Sequence, residues 1–396
     1  MKFFTISVLV LTLLSVVSHE VEGGSRKFRS TEEDQELERQ VNSLNKTPIQ
    51  SFKNKFGELI DCIDVYKQPA FDHPLLKDHN LQMRPSSLPK ELKLRRDDNR
   101  KISRQNNPSE SKVCPYGTVP FKRVTKEDLI RAKVAFQHAP NPHYAGVTTP
   151  NDPSKQLWGA ATDISVYNIT DQKGQYSQAL LWVGTSINGP YNSIEYGWTV
   201  NEGLYGDGLS RTYSLWTSDG LQNAGCYNAL CPGYVQVSQK RIMGEPNHPV
   251  TIPGEDVYSM EFQIFKDPNT SNWWLFENLG DVAHEPVGYW PKEILPKMSS
   301  FASVVQLGGK VSSPNDEPSP ARMGSGVFMP DDFTRTCYAS NIQFVNNNYE
   351  FYDPKDEKML VVGDAPDTYK AAYLGDASKD HPGRGYTLVF GGPALR

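Results

Sequence analysis

The chain has 396 residues, of which 38% are hydrophobic, and its 41 basic and 46 acidic residues give a net charge of −5. This length accommodates two domains, or one domain with a long pro-segment, and the near balance of charge, without a dominant run of one sign, argues against nucleic acid as a partner. The 29 prolines and 30 glycines cut the chain into short pieces. Together with 19 Tyr, 17 Phe and 7 Trp they favour many short strands over long helices.

The first 23 residues have the features of a secretory signal peptide. Lys2 precedes an apolar stretch, Phe3–Val17, that is short for a bilayer span, and small residues follow at Ser18 and Gly23. Hydrophobicity stops at His19, which disfavours a membrane anchor, and no later segment is long and apolar enough to cross a membrane. We therefore expect a secreted, extracellular protein without a membrane partner after signal cleavage.

Composition changes near residue 140. Residues 24–113 are polar and rich in charge, and the run 97–111 lacks the apolar content of a packed core. The stretch 138–142, with two prolines, is typical of a linker. A domain boundary is therefore predicted at about residues 140–141.

Two helices are predicted before this boundary. The first covers Thr31–Leu44. The second begins at Thr125, because Thr125 and Asp128 have the spacing of a capping box ahead of an apolar run, and it ends before Pro140.

After about residue 144 the pattern alternates between strands and turns. Tyr258–Ile264 alternates between apolar and polar residues, so one face is expected in the core and one in water. Ten strands are predicted, at residues 179–186, 193–200, 211–217, 234–239, 257–266, 272–277, 302–306, 326–329, 340–345 and 386–390. Many short strands at this spacing indicate an all-β sandwich or barrel.

Secretion permits disulfides, and the odd number of cysteines leaves at least one thiol free. Cys226 and Cys231 flank a four-residue loop and suit a local disulfide. Cys62 and Cys114 both lie in the N-terminal third, where a disulfide between them could cross-link that part of the chain. Cys337 is then the free cysteine, predicted to be buried in a strand.

Three Asn-x-Ser/Thr sequons are candidate glycosylation sites, and each needs a surface position if it is used. They begin at Asn45, Asn168 and Asn269.

Cofactor motifs are not found in the sequence. The eight histidines are scattered without zinc-ligand spacing, so no metal is predicted, and no glycine-rich phosphate loop occurs, so no cofactor is predicted. Ser325 follows Met323-Gly324 but lacks the spacing and setting of a nucleophile elbow.

Three groups of motifs occur in order along almost the whole chain after the signal peptide. The first is Asp61–Leu76, and the others comprise Ile194–Val200, Leu204–Asp207, Trp216–Gly220, Gly225–Asn228, Asn272–Leu275, Val287–Pro291, Met323–Gly326 and Phe390–Pro393. Together these motifs resemble the neprosin family of plant secreted proteins, and Asp61–Leu76 resembles the family's activation-peptide region.

The resemblance implies a small mixed pro-segment at residues 24–140 and a neprosin domain at 141–396, folded as a sandwich of two antiparallel sheets. It also implies a glutamic peptidase that cleaves after proline at acid pH, using two glutamates that face one another across a cleft. The first matches Glu195. The second belongs to a Gly-Gly-Glu-Val pattern that reads Gly308–Val311 here, with Lys310 in place of the glutamate.

This replacement changes the chemistry of the pair. Two adjacent carboxyls share a proton, so that one acts as base and the other as acid. The ammonium of Lys310 is instead expected to keep Glu195 ionised, as an ion pair, and it supplies no acid for the leaving amine. Glu317 is a candidate substitute, but it lies in a loop, and Val327 stands where the family commonly has histidine.

We therefore expect a neprosin-domain protein with impaired or lost peptidase activity that engages proline-containing peptides or proteins. Glu195 is the water-activating base or its partner in any residual activity. One alternative is a non-catalytic extracellular binder of proline-rich or cell-wall ligands that uses cleft aromatics such as Trp198. Another is a secreted storage or structural protein.

If the peptidase activity is lost, the chain cannot remove its own pro-segment. Cleavage of the pro-segment would then need another protease, acting at Arg95–Arg96 or Lys122–Arg123.

Overall fold

The computed structural model describes residues 31–90, 113–137, 142–152, 154–169, 174–185, 189–279, 282–314 and 319–393. The predicted signal peptide, the run 97–111, the pair Arg95–Arg96, most of the predicted linker and Glu317 lie outside these ranges.

The N-terminal region is a small mixed unit. Helix α1 spans Thr31–Leu44, as predicted, and α2 spans Lys126–Gln137. The capping box of α2 forms, because the backbone N–H of Thr125 donates to Asp128 Oδ2 at 2.9 Å and that of Asp128 donates to Thr125 Oγ1 at 3.2 Å.

Three strands complete this unit as an antiparallel sheet in the order β1-β2-β3. They are β1 Gln50–Lys53, β2 Leu59–Asp64 and β3 Thr118–Lys122. A disulfide between Cys62 and Cys114, with Cα atoms 5.5 Å apart, joins β2 to the approach to β3.

The rest of the chain forms two large sheets whose named strands all pair antiparallel with their neighbours. The strands are β4 His143–Thr148, β5 Gly159–Ser165, β6 Tyr176–Thr185, β7 Asn192–Asn201, β8 Ser210–Thr217, β9 Gly225–Tyr227, β10 Val235–Gln236, β11 Ser259–Lys266, β12 Trp273–Leu279, β13 Val282–Trp290, β14 Val304–Ser312, β15 Cys337–Val345, β16 Phe351–Tyr352, β17 Leu360–Gly363, β18 Lys370–Asp376 and β19 Tyr386–Gly391. A one-turn helix, α3 Glu202–Tyr205, follows β7.

One sheet has seven strands in the order β17-β4-β14-β6-β7-β8-β9. The other has nine, in the order β10-β13-β12-β11-β5-β15-β19-β18, with β16 beside β15. The inner faces of the two sheets share one large apolar core. The predicted fold class, an all-β sandwich preceded by a small mixed region, is therefore confirmed.

Alternation along β7 shows how the sequence builds this core. Ile194, Tyr196 and Trp198 are fully buried between the sheets, so Glu195 and Thr199 lie on the outer face. Trp198 donates its indole N–H to the carbonyl of Ser165 at 2.8 Å. Trp198 is therefore a core residue, and the alternative in which its ring lines a cleft is wrong.

Several strand predictions need correction. Residues 326–329 do not form a strand, because Gly324 and Gly326 have φ of +64° and +78° and the chain turns there. The predicted strand 234–239 is reduced to β10. Ten strands were not predicted, namely β1–β5, β9, β13 and β16–β18.

A buried charged cluster, here called the Arg241 cluster, joins the two sheets. Arg241 contacts Glu277 of β12 at 2.6 Å and Glu245 at 2.5 Å, and the hydroxyl of Tyr196 of β7 donates to Glu277. Both partners of the Arg241–Glu277 pair have 2% of their side chains exposed, so water does not screen it.

Candidate functional site

Glu195 and Lys310 lie on the same face of the seven-stranded sheet. Lys310 of β14 pairs with Gln178 of β6, Gln178 pairs with Thr199 of β7, and Glu195 is four positions from Thr199 on the same strand. Because side chains alternate with a period of two, these positions share the outer face. The fold thus places the two predicted site residues together on one surface, here called the site face.

The Gly-Gly-Lys-Val segment shows which part of this motif serves packing. Gly309 faces the core, where a Cβ would run into Met323 and Phe390. Lys310 is the next residue and therefore points to the opposite side, onto the site face. The glycine is thus required for sheet packing, and position 310 decides the chemistry.

The carboxylate of Glu195 is buried, with 7% of the residue exposed, and accepts a hydrogen bond from the Tyr213 hydroxyl at 3.3 Å. The attraction of Glu195, opposed by burial, raises the pKa of Lys310 above its usual value. Within the described residues no direct contact joins the two groups, so the expected ion pair takes the form of attraction at a distance. Lys310 remains an ammonium throughout the acid and neutral range.

Five tyrosines lie around these two charges, at Tyr144, Tyr176, Tyr191, Tyr213 and Tyr227. Burial raises the pKa of each hydroxyl, and the charge of Glu195 adds to this effect in all five, while the charge of Lys310 opposes it in Tyr176, Tyr191 and Tyr227. The hydroxyls are therefore neutral hydrogen-bonding groups at acid and neutral pH.

Trp182 and Gln178 of β6 complete the site face. Trp182 pairs with Glu195 across the strands and lies 6.0 Å, centroid to centroid, from the ring of Tyr191. The side-chain oxygen of Gln178 is buried and has no donor among the residues that the structure describes. These residues were missed in the sequence, although β6 alternates apolar core residues with Tyr176, Gln178 and Trp182.

Asp219 is a further charged group at the edge of the tyrosine cluster, where its charge helps to raise the pKa of Tyr191. Its carboxylate accepts from the backbone N–H groups of Gln222, Asn223 and Ala224. Asp219 therefore organises its own loop, and its oxygens are not directed to Glu195.

The N-terminal unit covers one end of the site face. Ala132, Ala135 and Phe136 of α2 pack on a cluster that includes Leu180, Tyr213, Leu215 and Tyr227. The disulfide between Cys226 and Cys231, with Cα atoms 6.0 Å apart, lies at the same end, where Cys226 of β9 pairs with Trp216.

The remaining predicted positions are dispersed. Cys337 is a buried free cysteine on β15. Among the sequons, Asn269 is exposed, Asn168 is partly buried, and the side chain of Asn45 donates to and accepts from the backbone of Val124 at 2.8 and 2.9 Å. The part of the chain that the structure describes holds no group of three or more His, Cys, Asp or Glu residues arranged for a metal ion.

The fold is a β-sandwich with an attached N-terminal unit, and its site face carries both Glu195 and Lys310. The family model described as Neprosin matches residues 173–393, and that described as Neprosin activation peptide matches residues 51–162. The chain belongs to the neprosin family.

Solved structures show a more distant likeness. The structure of scytalido-glutamic peptidase with a peptide-based transition-state analogue is 10% identical, with a TM-score of 0.34, over 63% of this chain and 98% of that chain. The structure of SCP-B, a member of the eqolisin family of peptidases, in complex with the tripeptide Ala-Ile-His is 11% identical, with a TM-score of 0.32, over the same shares of the two chains.

Proposed function

We propose that this chain is a secreted neprosin-domain protein whose proline-directed glutamic endopeptidase activity is impaired or lost, because Lys310 replaces the second catalytic glutamate. Residues 1–23 serve as signal peptide, 24–140 as pro-segment and 141–396 as the domain that carries the site. Two disulfides and the lack of a membrane-spanning helix among the described residues are consistent with an extracellular protein.

The observation that carries this proposal is that Lys310, an ammonium and not a second carboxyl, shares the site face with Glu195, whose attraction raises the pKa of Lys310. Amide hydrolysis needs a base that activates water and an acid that protonates the leaving nitrogen. Glu195 can act as the base, but an ammonium with a raised pKa neither accepts a proton nor releases one readily at acid pH. The neutral tyrosines do not replace the acid, because their raised pKa values hold their protons still more firmly.

Other roles for Lys310 fail for the same reason. A lysine nucleophile or general base must lose its proton, which requires a lowered pKa. Its charge remains able to stabilise an oxyanion or to hold a carboxylate of a ligand. The site is therefore suited to binding more than to turnover.

Cleavage of a proline-rich peptide at acid pH tests the proposal directly. The wild type already lacks one acid–base partner, and such a loss costs about 10²–10⁴ in rate. Removing Glu195 as well should therefore change little, so the full-length protein and its Glu195→Gln variant should cleave at rates within about tenfold of each other. A wild-type rate more than 100 times that of Glu195→Gln would refute impaired catalysis.

Maturation gives a second readout of the same proposal. The purified precursor should stay uncut at low pH. Lys122–Arg123 is a poor site for another protease as well, since Lys122 ends β3 and both Nε and Nη2 of Arg123 donate to Asp61 at 2.7 Å. Self-processing of the purified precursor would contradict lost activity.

A second candidate function is non-catalytic binding of proline-containing ligands on the site face. The partly exposed rings of Trp182 and Tyr191 favour it, because they offer a stacking surface. Calorimetric titration with a proline-rich peptide should show at least tenfold weaker binding after Trp182→Ala. Affinity that is indifferent to Trp182→Ala and Lys310→Gln would remove this candidate.

A further inference from the structure

The outer face of the nine-stranded sheet carries a second aromatic surface, on the side of the sandwich opposite to the site face. We refer to it as the back groove. Its floor consists of Phe265, Trp274, Phe276 and Tyr289, which have at most 1% of their surface exposed. The rings of Trp274 and Tyr289 lie 4.6 Å apart, centroid to centroid. A surface of this composition stays out of water here because another part of the chain covers it.

Residues 68–90 are the cover. Ala70, Phe71 and Leu81 pack on the aromatic floor. Apart from two short helical turns, at Pro69–Asp72 and Pro74–Leu76, and one bridge residue, the stretch has no regular secondary structure. It contains prolines at 69, 74, 85 and 89. Pro69 and Pro74 begin the two turns, whereas Pro85 and Pro89 lie in the part without helical turns. Extended chains that contain proline suit aromatic grooves, because little conformational freedom is lost when they bind.

Hydrogen bonds from the sheet hold the first part of this stretch. The side chain of Gln68 accepts from the backbone N–H of Gln236 at 2.8 Å and donates to its carbonyl at 3.0 Å, so it pairs with the edge strand β10. The hydroxyl of Tyr289 accepts from the backbone N–H of Gln82 at 3.1 Å.

The second part is held by side chains at the far end of the groove. Asn272 donates to Gln82 Oε1 at 2.6 Å, and Asp267 accepts from Ser86 Oγ at 2.7 Å. The hydroxyl of Tyr349 donates to the carbonyl of Ser87 at 2.8 Å. The groove thus forms hydrogen bonds to backbone groups and to amide and hydroxyl side chains, as a peptide-binding site does.

The stretch does not satisfy every polar group in the groove. The indole N–H groups of Trp274 and Trp158 are buried without an acceptor among the described residues. Trp274 is fully buried and Trp158 packs against the same cluster. Because an unpaired buried donor is unfavourable, a chain that offers carbonyl oxygens to these two indoles is expected to bind better than residues 68–90 do.

We propose that the back groove is a binding site for an extended, proline-containing segment of another protein, and that residues 68–90 occupy the groove when no partner is bound. The partner carries amide or hydroxyl side chains and presents carbonyl oxygens to the two indoles. This inference is independent of turnover at Glu195, because the two surfaces lie on different sheets.

A labelled peptide of residues 68–90, added to the full-length protein, tests the groove. The double variant Gln68→Ala/Ser86→Ala loosens the chain's own copy, so the peptide should bind it at least tenfold more tightly than the wild type. Adding Trp274→Ala should weaken binding at least tenfold, whereas adding Tyr116→Ala, at an exposed position outside both surfaces, should leave it unchanged. A peptide with its four prolines replaced by alanine should bind at least tenfold more weakly.

Two results would overturn the proposal: no gain in binding by a folded double variant, or binding that responds to Tyr116→Ala and not to Trp274→Ala. If the double variant does not fold, amide hydrogen exchange of the wild-type protein tests the proposal instead. The amides of Gln82 and Ser86 should exchange at least tenfold faster than those of β5 and β11, because the stretch opens separately from the sandwich. Equal protection would show that the groove is a closed part of the core.

Discussion

Neighbouring residues of β7 belong to two charged clusters that differ in almost every physical respect. Tyr196 faces the core and donates to Glu277, which Arg241 holds by close contacts. Glu195 faces outward, where its hydrogen bond comes from Tyr213 and its attraction to Lys310 acts without contact. The Arg241 cluster links the two sheets through close ionic contacts. The Glu195–Lys310 region, in contrast, is lined by neutral tyrosines and holds two charges that do not touch. Substitution should therefore affect folding in the first and chemistry in the second.

The largest effect on stability is expected for Arg241→Met. It leaves the buried carboxylate of Glu277 and the partly exposed one of Glu245 without their counter-ion, and breaking a buried pair such as Arg241–Glu277 costs about 3–5 kcal/mol. Urea unfolding at pH 7 measures this change. The exposed Arg39, paired with Glu36, provides the control, and Arg39→Ala should cost less than about 1 kcal/mol. Equal losses in the free energy of unfolding for Arg241→Met and Arg39→Ala would show that Arg241 does not stabilise the contact between the sheets.

A smaller effect is expected for Lys310→Met. No close contact is lost, and Glu195 keeps the hydroxyl of Tyr213, so the free energy of unfolding should fall by less than about 2 kcal/mol. The same urea titration measures it beside Arg241→Met. A cost as large as that of Arg241→Met would mean that Lys310 is a structural residue, and the contrast between the clusters would fail.

The smallest effect concerns pH. The raised pKa of Lys310 means that its stabilising contribution is fully present below its ordinary value of 10.5 and is lost only as pH rises through the folded value. Burial lowers the pKa of His73 and His79 from 6.5, and for His79 this outweighs the attraction of Glu293. Because the unfolded chain then binds protons more readily, stability should decrease as pH falls from 7 through 6.5 towards the folded values.

Melting temperatures at pH 7 and pH 5 measure this slope. The double variant His73→Gln/His79→Gln should show a flatter dependence than the wild type, whereas His248→Gln, an exposed position, should leave it unchanged. A steeper slope in the double variant would show that these histidines are stabilised by protonation.

The sequence predicted the parts of the fold that local rules decide. Helix α1 was correct to the residue, and the capping box located the start of α2. Strand β7 followed from its alternation. The missed strands depend on long-range partners. Strand β5, for example, is buried on both faces between β11 and β15 and therefore lacks clean alternation.

The site was predicted only where a motif marked it. Glu195 and Lys310 were found by resemblance, and strand pairing then brought them to one face. Tyr213 and Trp182 could not be assigned to that face without the strand register, because a shift of one residue reverses every side chain. The back groove was not predictable, since the hydrogen bonds of Gln68 and Ser86 that hold its cover span 168 and 181 residues of the chain.

Restoring the acid tests the central claim most directly. Lys310→Glu places a second carboxyl opposite Glu195, and the account predicts cleavage of a proline-rich peptide at acid pH at least 100 times faster than the wild type, as expected for a recovered acid–base partner. Lys310→Gln, which removes the charge without adding an acid, should not increase the rate. A folded Lys310→Glu variant no faster than Lys310→Gln, or a wild type already as fast as Lys310→Glu, would contradict the account.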